Sequence, residues 1–503
     1  MRQCGAGHKS PARKSPGFAC RHTAGHCRGV TDIGYYFLRL RADIFVPAGF
    51  LLAAFVTVHV LLHKREVASA VGWIGLAWLA PFTGGLTYLV LGVNRVRRRA
   101  RQIRGRDSDT LGATPDGSCH AAGHLGALEC GIGRLTGRAL LGGNQVAVFQ
   151  DGDEAYPAML AAIAAATRSI AMCSYIFRDD VWGGRFIDTL ADAQSRGVAV
   201  RVLVDGVGSG WLRSPTYHHF RRAGVPAARF LHSVLPWRMP FLNLRSHRKI
   251  LVVDGAIGFT GGINIADQNV QADHPRAPVR DTHFRIEGPV VRQLSEAFAD
   301  DWLFAAGEDL DKTVWQATPP PCGDAPGRVI DSGPDEDIEK IEFAVLQAVA
   351  CAQTSIRIMT PYFLPDDRLL AALALAAQRG VEVDVVVPEK SDHILIQYAA
   401  FANAAPLLTH GVRLWLCPPP FRHSKITTVD DTWCLIGSCN WDIRSFRLNF
   451  ELSVEFYDAA LATTLANFVL QNRGAPFSSA DLDRRSTFAT LRDAAARLTM
   501  PYL

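Results

Sequence analysis

Cysteine pairs are absent from this sequence: its eleven cysteines are spread along 503 residues with no C-x-x-C among them. That spacing argues against a disulfide framework and for a reducing compartment. Acidic residues are absent where basic ones are densest. Arg95, Arg97, Arg98, Arg99, Arg101, Arg104 and Arg106 follow one another without an Asp or Glu between them, a cluster suited to anionic lipid headgroups or to nucleic acid. Charge of either sign is absent from two long runs, 44–62 and 71–93. An early apolar segment is absent too, since the first run starts only at Ile44, a poor fit to a cleaved signal peptide. Against these gaps the bulk composition is ordinary, 48% hydrophobic and 20% charged with a net charge of +5. It predicts a folded, enzyme-like chain, and the length calls for two or more folded units.

The 44–62 run, IFVPAGFLLAAFVTVHVLL, carries only His59 as a titratable group. At about 1.5 Å per residue it nearly spans a hydrocarbon core of roughly 30 Å. The 71–93 run carries Trp73, Trp78 and Tyr88, rings expected toward membrane interfaces. Its Pro81 and its Gly84-Gly85 pair would kink a soluble helix but are tolerated in a spanning one. Residues 41–106 therefore read as two transmembrane helices and an Arg-rich juxtamembrane segment. Arg39 and Arg41 precede the first run, the arginine cluster follows the second, and the short linker has only Lys64 and Arg65 against Glu66. The positive-inside bias then places both ends in the cytoplasm. The expected location is the inner cell membrane, multi-pass, with everything after Arg106 cytoplasmic. Residues 1–40 are basic and lack an apolar pattern, so a disordered tail is expected. A zinc site at Cys20, His22, His26 and Cys27, with Cys4 and His8 upstream, is disfavoured because nothing apolar would fix the ligand geometry.

Residues 107–135, rich in Gly, Ser, Asp and His, read as a linker. Beyond it the chain repeats itself. PAMLAAIAAATRSIAMCSYIFRDD from Pro157 and IEFAVLQAVACAQTSIRIMTPYFLPDD from Ile341 each pass from helical apolar spacing into a β-like stretch. Each is followed by a second helix and an apolar strand, ADAQSRGVAVRVLVDG from Ala191 and LAAQRGVEVDVVVP from Leu375. The register is nearly constant, with Ser169 to Ser355 at 186 residues and Gly197 to Gly380 at 183. Two related α/β units are expected, 136–315 and 316–503, with a sheet covered on both faces.

The repeat carries reactive residues with it. SHRKILVVDGAIGFTGGIN contains His247, Lys249, Asp254, Gly261, Gly262 and Asn264, and RHSKITTVDDTWCLIGSCN contains His423, Lys425, Asp430, Gly437, Ser438 and Asn440. Every internal spacing agrees. Residues two apart on a strand face one side, so each His and Lys project together. A Gly-rich turn then returns the Asn to the same region. Imidazole supplies a nucleophile or proton donor near neutral pH, while ammonium and amide groups hold phosphate oxygens. Covalent transfer of a phosphoryl-type group needs two imidazoles, one to attack phosphorus and one to protonate the leaving oxygen. A lone His-x-Lys is more often structural; two matched copies reverse that reading.

This duplicated motif resembles the signature of the phospholipase D superfamily, over about residues 140–475. The resemblance implies two α/β domains about a pseudo-twofold axis, with the active site at their seam, here preceded by the transmembrane hairpin. It implies that His247 forms a phosphohistidine while His423 acts as general acid and then base, or the reverse. Lys249, Lys425, Asn264, Asn440 and Ser438 are the expected phosphate ligands. Asp254 and Asp430 belong to the motif and are more often structural in this family than catalytic. No metal and no cofactor is expected. A downstream carboxylate should orient each imidazole: Glu451, 28 residues after His423, and Asp281, 34 residues after His247.

The strings YIFRDD, LRSHRKILVVDG, FTGGIN, RDTHFRIEGP, TPYFLPDD and RSFRLNFE are similar to those of bacterial cardiolipin synthases, in the same order. That similarity implies transfer of a phosphatidyl group from one phosphatidylglycerol to another with release of glycerol. The expected partners are anionic phospholipids and the membrane, not nucleic acid. A membrane-tethered hydrolase using water and a synthase drawing on phosphatidylethanolamine are the alternatives. A nuclease is disfavoured, because the arginine cluster adjoins a membrane span and lacks interleaved aromatics. Arg422 stands where members of the family mostly have an apolar residue. Trp237, Met239, Phe241 and Leu242, just before the first motif, read equally as an acyl-chain entrance and as core packing.

Overall fold

The structure is a computed structural model that describes residues 27–63, 67–92, 123–210, 213–232, 244–333, 338–498 and Met500. Cys4, His8, Cys20, His22 and His26, the side chain of Cys27, the arginine cluster, and Trp237, Met239, Phe241 and Leu242 lie outside the described residues. The chain forms two units, Met1–Val93 and Asn94–Leu503.

In the first unit the helix Cys27–His63 contains the stretch Asp43–His63, the one helix among the described residues long and apolar enough to cross a membrane. The second apolar run departs from a single span. It is broken into Val67–Leu79, Pro81–Thr87 and a π-turn at Tyr88–Gly92. Pro81 has no N–H for the helix ladder and its ring clashes with the preceding turn, so it opens a new helix instead of continuing the old one. The runs still pack together, with Ala53, Val56 and Val60 against Trp73, Ala77 and Tyr88. Phe50, Leu51, Phe55, Leu62, Val71 and Leu79 face outward and are each more than half exposed. An apolar exterior around so small a seam suits lipid rather than water.

The second unit is built on one continuous sheet. From one edge its strands run Ala227–Phe230, Ala199–Asp205, Ser169–Ser174, Ile250–Val253, Ile257–Gly261, Thr282–Glu287 and Leu141–Gln150. They continue as Ala325–Ser332, Asn449–Tyr457, Trp433–Gly437, Ile426–Val429, Ser355–Met359, Glu382–Pro388, Arg413–Cys417 and Ala475–Phe477. Outward from the antiparallel junction, where Asn144 opposes Ala325, the order is the same in both directions. That is the layout of a pseudo-twofold axis relating two α/β halves. The strands that follow each His-x-Lys, Ile250–Val253 and Ile426–Val429, are buried at every position, because both of their faces carry apolar or β-branched side chains. Helices cover the outer faces, with Ile163, Phe186 and Leu190 in one core and Val345, Leu369 and Leu373 in the other. A third core is shared: Phe298 and Trp302 of the first half belong to it together with Leu465 and Val469 of the second. The doubled acids in FRDD and LPDD have a local role. Asp180 and Asp366 cap the helices Val181–Ser195 and Asp367–Gln378 by accepting from backbone N–H groups, worth about 1 kcal/mol each.

One expectation is corrected here. The linker 107–135 is helical from Gly123 onward, and Leu125, Leu128 and Ile132 are buried in the second half's core. Their helical spacing is masked in the sequence by the glycines between them. Cys173, Cys322, Cys351, Cys417, Cys434 and Cys439 are free thiols.

Candidate active site

Each half delivers its imidazole on a short segment that crosses to the other half. Arg245–Ser246 pairs with Asn449–Phe450, and Phe421–Arg422 pairs with Val279–Arg280. His247 N then donates to Phe450 O at 2.9 Å, and His423 N to Arg280 O at 2.7 Å. The two rings meet at the seam with centroids 6.4 Å apart and planes at 78°. They line one cleft of about 640 Å³ with Asn264, Asn440, Tyr175 and Tyr362. Lys249 donates to His247 O at 2.8 Å, and the Lys425 ammonium stands 3.1 Å from His423 Nε2. Asn264 is anchored by its Oδ1, which accepts from Ile176 N at 3.2 Å.

The orienting carboxylates are both present, but they are crossed. His247 Nδ1 lies 3.0 Å from Glu451 Oε1, and His423 Nδ1 lies 2.8 Å from Asp281 Oδ2. Spacing along the chain pairs each acid with the histidine of its own half; the structure pairs it with the other. The reason is local. Each acid follows the residue whose carbonyl accepts from the crossing histidine, Phe450 before Glu451 and Arg280 before Asp281, so one backbone bond aligns the pair. The two acids hold equivalent places, since Gly261 opposes His283 and Gly437 opposes Ser453. The longer gap in the first half is taken up by the turns Asp267–Asn269 and Gln271–Asp273.

Three of the predicted site residues have other roles. Ser438 is not a phosphate ligand. It is fully buried and donates to Glu451 Oε2 at 2.5 Å, because the turn after Gly437 (φ +153°) aims it at the acid. Gly262 stands in its place in the first half, where a Cβ would meet Asp281 Oδ1 at 2.2 Å. Asp254 and Asp430 are structural. They lie at the far end of the buried strands, about 17 Å along the chain from the lysines. Asp254 accepts from the backbone N–H groups of Thr167, Arg168 and Ser169. Asp430 accepts from those of Gln353, Thr354 and Ser355. Burial works against their ionisation, but these donors outweigh it and lower both pKa values.

Burial, and then the charges of Lys249 and Lys425, holds His247 well below its ordinary value. Burial and then Lys425 also lower His423, with Asp281 pulling the other way. Burial pushes Lys425 down to about 8 and lowers Lys249 too, where Lys425 adds to the effect. The carboxylates diverge. Burial opposes ionisation of Asp281, yet Lys425 and His423 together hold it below the usual range. At Glu451 burial prevails over Lys249 and raises the carboxyl. His423 therefore faces a fixed anion, while His247 faces an acid that keeps its proton more readily.

Several residues here escape a reading of the motif alone. Tyr175 and Tyr362 cover the imidazoles, with centroids 4.8 Å from His247 and 6.1 Å from His423. Both follow the strand that succeeds the first helix of the repeat, Ser169–Ser174 and Ser355–Met359, which was the available signal. Arg248, between His247 and Lys249, donates across the seam to Glu451 O at 3.1 Å and within its own half to Asp301 Oδ1 at 2.9 Å. Arg422 does not alter the wall of the cleft: its guanidinium lies over the Phe468 ring, 5.3 Å from the centroid.

A sequence profile described as "Cardiolipin synthase, PLD-like domain" matches residues 159–302 and 345–471, one copy in each half. Cardiolipin synthase 1 of Staphylococcus epidermidis is 32% identical over 454 residues, covering 86% of this chain and 92% of the relative. The cardiolipin synthase of Geobacillus thermodenitrificans is 32% identical over 460 residues, covering 89% and 92%. Among solved structures, the phosphatidylserine synthase of Haemophilus influenzae Rd KW20 shares the fold, with a TM-score of 0.56 at 13% identity over 71% of this chain and 95% of that one. With two matched copies of the profile, and relatives aligned over most of its length, the chain belongs to the cardiolipin synthase family of the phospholipase D superfamily.

Proposed function

We propose that this enzyme makes cardiolipin by moving a phosphatidyl group from one phosphatidylglycerol to another. The observation that carries the reading is the pair of imidazoles 6.4 Å apart in one cleft, each held at Nδ1 by a carboxylate of the other half. In the first step His247 Nε2 attacks phosphorus, the bond from phosphorus to the glycerol oxygen breaks, and His423 gives that oxygen its proton. In the second, the hydroxyl of another phosphatidylglycerol gives its proton to His423 and bonds to phosphorus as the P–N bond breaks. The charges support these roles. An attacking nitrogen must be neutral, which suits His247, and the anion of Asp281 steadies the imidazolium that a general acid requires. Lys249, Lys425, Asn264 and Asn440 would hold the phosphate oxygens.

The test is to incubate purified protein with phosphatidylglycerol vesicles without added metal, following glycerol and cardiolipin. Both should appear in equal amounts, and an acid quench should trap labelled phosphatidyl on His247. Phosphatidic acid as sole product would favour a hydrolase, and label on His423 would reverse the roles.

We also propose that the apolar first unit anchors the enzyme in the inner membrane by two passes, with both catalytic halves in the cytoplasm. The arginine bias supports that orientation. Labelling of the exposed Cys322 thiol by a membrane-impermeant maleimide decides: protection in intact spheroplasts supports the cytoplasmic side, and labelling overturns it.

A further inference from the structure

The cleft is symmetric in its backbone but not in its side chains. Two residues before each histidine stand Arg245 and Phe421, four after each motif asparagine stand Arg444 and Gln268, and two before each orienting acid stand Asn449 and Val279. All six line the cleft. Arg245 opposes Asn449 and Phe421 opposes Val279 across the crossing segments, so the sets mark two ends exchanged by the pseudo-twofold. At the Phe421 end, Tyr362 packs on Phe421 with centroids 6.4 Å apart and donates to Asp392 at 2.8 Å. That end is aromatic and carries an acid. The other end holds two guanidiniums. They are close enough that, after burial, the charge of Arg245 is the next influence lowering the pKa of Arg444. Tyr175, which contacts the His247 ring, feels both, so the cationic end adjoins His247. The acids felt there, Asp205 and Asp442, are buried and accept from backbone amides, including those of Val207, Ser246 and Ser445.

We propose that Arg245 and Arg444 form a second phosphodiester site, holding the phosphate of the acceptor lipid while its glycerol hydroxyl reaches phosphorus on His247. This rests on the transferase reading above. An acceptor phosphatidylglycerol carries its own phosphate a few bonds from the reacting hydroxyl, whereas water and simple alcohols carry none. Guanidinium groups match phosphate with paired, charge-assisted donors. Two of them beside the nucleophile favour an anionic acceptor over water, and their absence from the other end lets one fold treat two identical lipids differently.

The test is competition between acceptors. Phosphatidylglycerol vesicles containing ethanol are supplied to the wild type and to Arg245→Gln, Arg444→Gln and Arg444→Lys, and cardiolipin, phosphatidylethanol and phosphatidic acid are quantified. The ratio of cardiolipin to phosphatidylethanol should fall about tenfold in each Gln variant, the scale of a lost charge-assisted hydrogen bond, and recover in part with Lys. An unchanged ratio, or a parallel fall of both products, overturns the proposal. Should the Gln variants not fold, diethyl phosphate added to the wild type should suppress cardiolipin more than phosphatidylethanol, and equal suppression overturns the site. A wild type that makes phosphatidylethanol and phosphatidic acid but never cardiolipin sinks the transferase reading instead.

Discussion

His247 and His423 stand at equivalent places, each between a crossing segment and a buried strand, yet they have different neighbours. His247 leans on Glu451, whose longer side chain is braced by Ser438. His423 leans on Asp281, which has room because residue 262 is glycine. One methylene and one hydroxymethyl group thus separate the two supports, and with them the charge that each imidazole feels. Each half supplies one place for a histidine, and the proposed division into an attacking and a donating imidazole rests on small differences behind them.

The comparison breaks most sharply at the histidines. His247→Ala should lower cardiolipin formation on the order of 10⁵-fold, as loss of a nucleophile does, and His423→Ala by about 10²–10⁴-fold, the usual range for a proton donor. Initial rates on phosphatidylglycerol vesicles measure both, and a larger loss at His423 would mean that the asymmetry runs the other way.

The carboxylates sharpen it next. Asp281→Asn should slow turnover about 100-fold. First-turnover release should recover with a phosphatidyl p-nitrophenyl ester, whose leaving group needs no proton. Glu451→Gln should slow turnover comparably without that recovery. Recovery in both variants, or in neither, would erase the distinction between the halves.

A smaller effect separates the lysines. Burial brings Lys425 down to about 8, so its charge is lost as pH rises through that value and kcat/KM should decline above it. Lys425→Arg should carry the decline to higher pH, because guanidinium keeps its proton; an unmoved limb would detach it from Lys425.

The least effect on chemistry is expected where the halves agree. Asp254→Asn and Asp430→Asn should each cost about 1–3 kcal/mol of stability in urea melts and change kcat little. Asp430 should be the more costly, because His124 Nε2 also reaches it at 2.6 Å. Both acids have lowered pKa values in the fold, so their stabilisation is present above the ordinary carboxylate range and disappears as pH falls through the depressed value.

Much of this was legible in the sequence because it is written in period and repetition. The buried strands after His247 and His423 announce themselves as apolar runs, and the matched spacings disclose the two imidazoles and their lysines. Three features were not. Nothing in the distance from His423 to Glu451 says that the acid serves the other half, since a carboxylate reaches whichever histidine the backbone presents to it. Ser438 sits where the motif suggests a phosphate ligand, and only the strain-permitting turn at Gly437 reveals where its hydroxyl points. The helical stretch from Gly123 to Thr136 hides its three buried apolar residues, Leu125, Leu128 and Ile132, among glycines that resemble a linker. Pro81, read as tolerated within one spanning helix, instead starts a new one.

The exchange of carboxylates between halves also bears on how the two copies can change. An isolated half would carry an imidazole with no acid behind it, because the residue that steadies its ring is encoded some two hundred positions away (His247 and Glu451 are 204 apart). Neither copy is free to decay while the other carries on, as duplicated segments commonly do. Two fragments severed between Trp315 and Ala325 should be inert when purified singly and regain turnover only on reassociation.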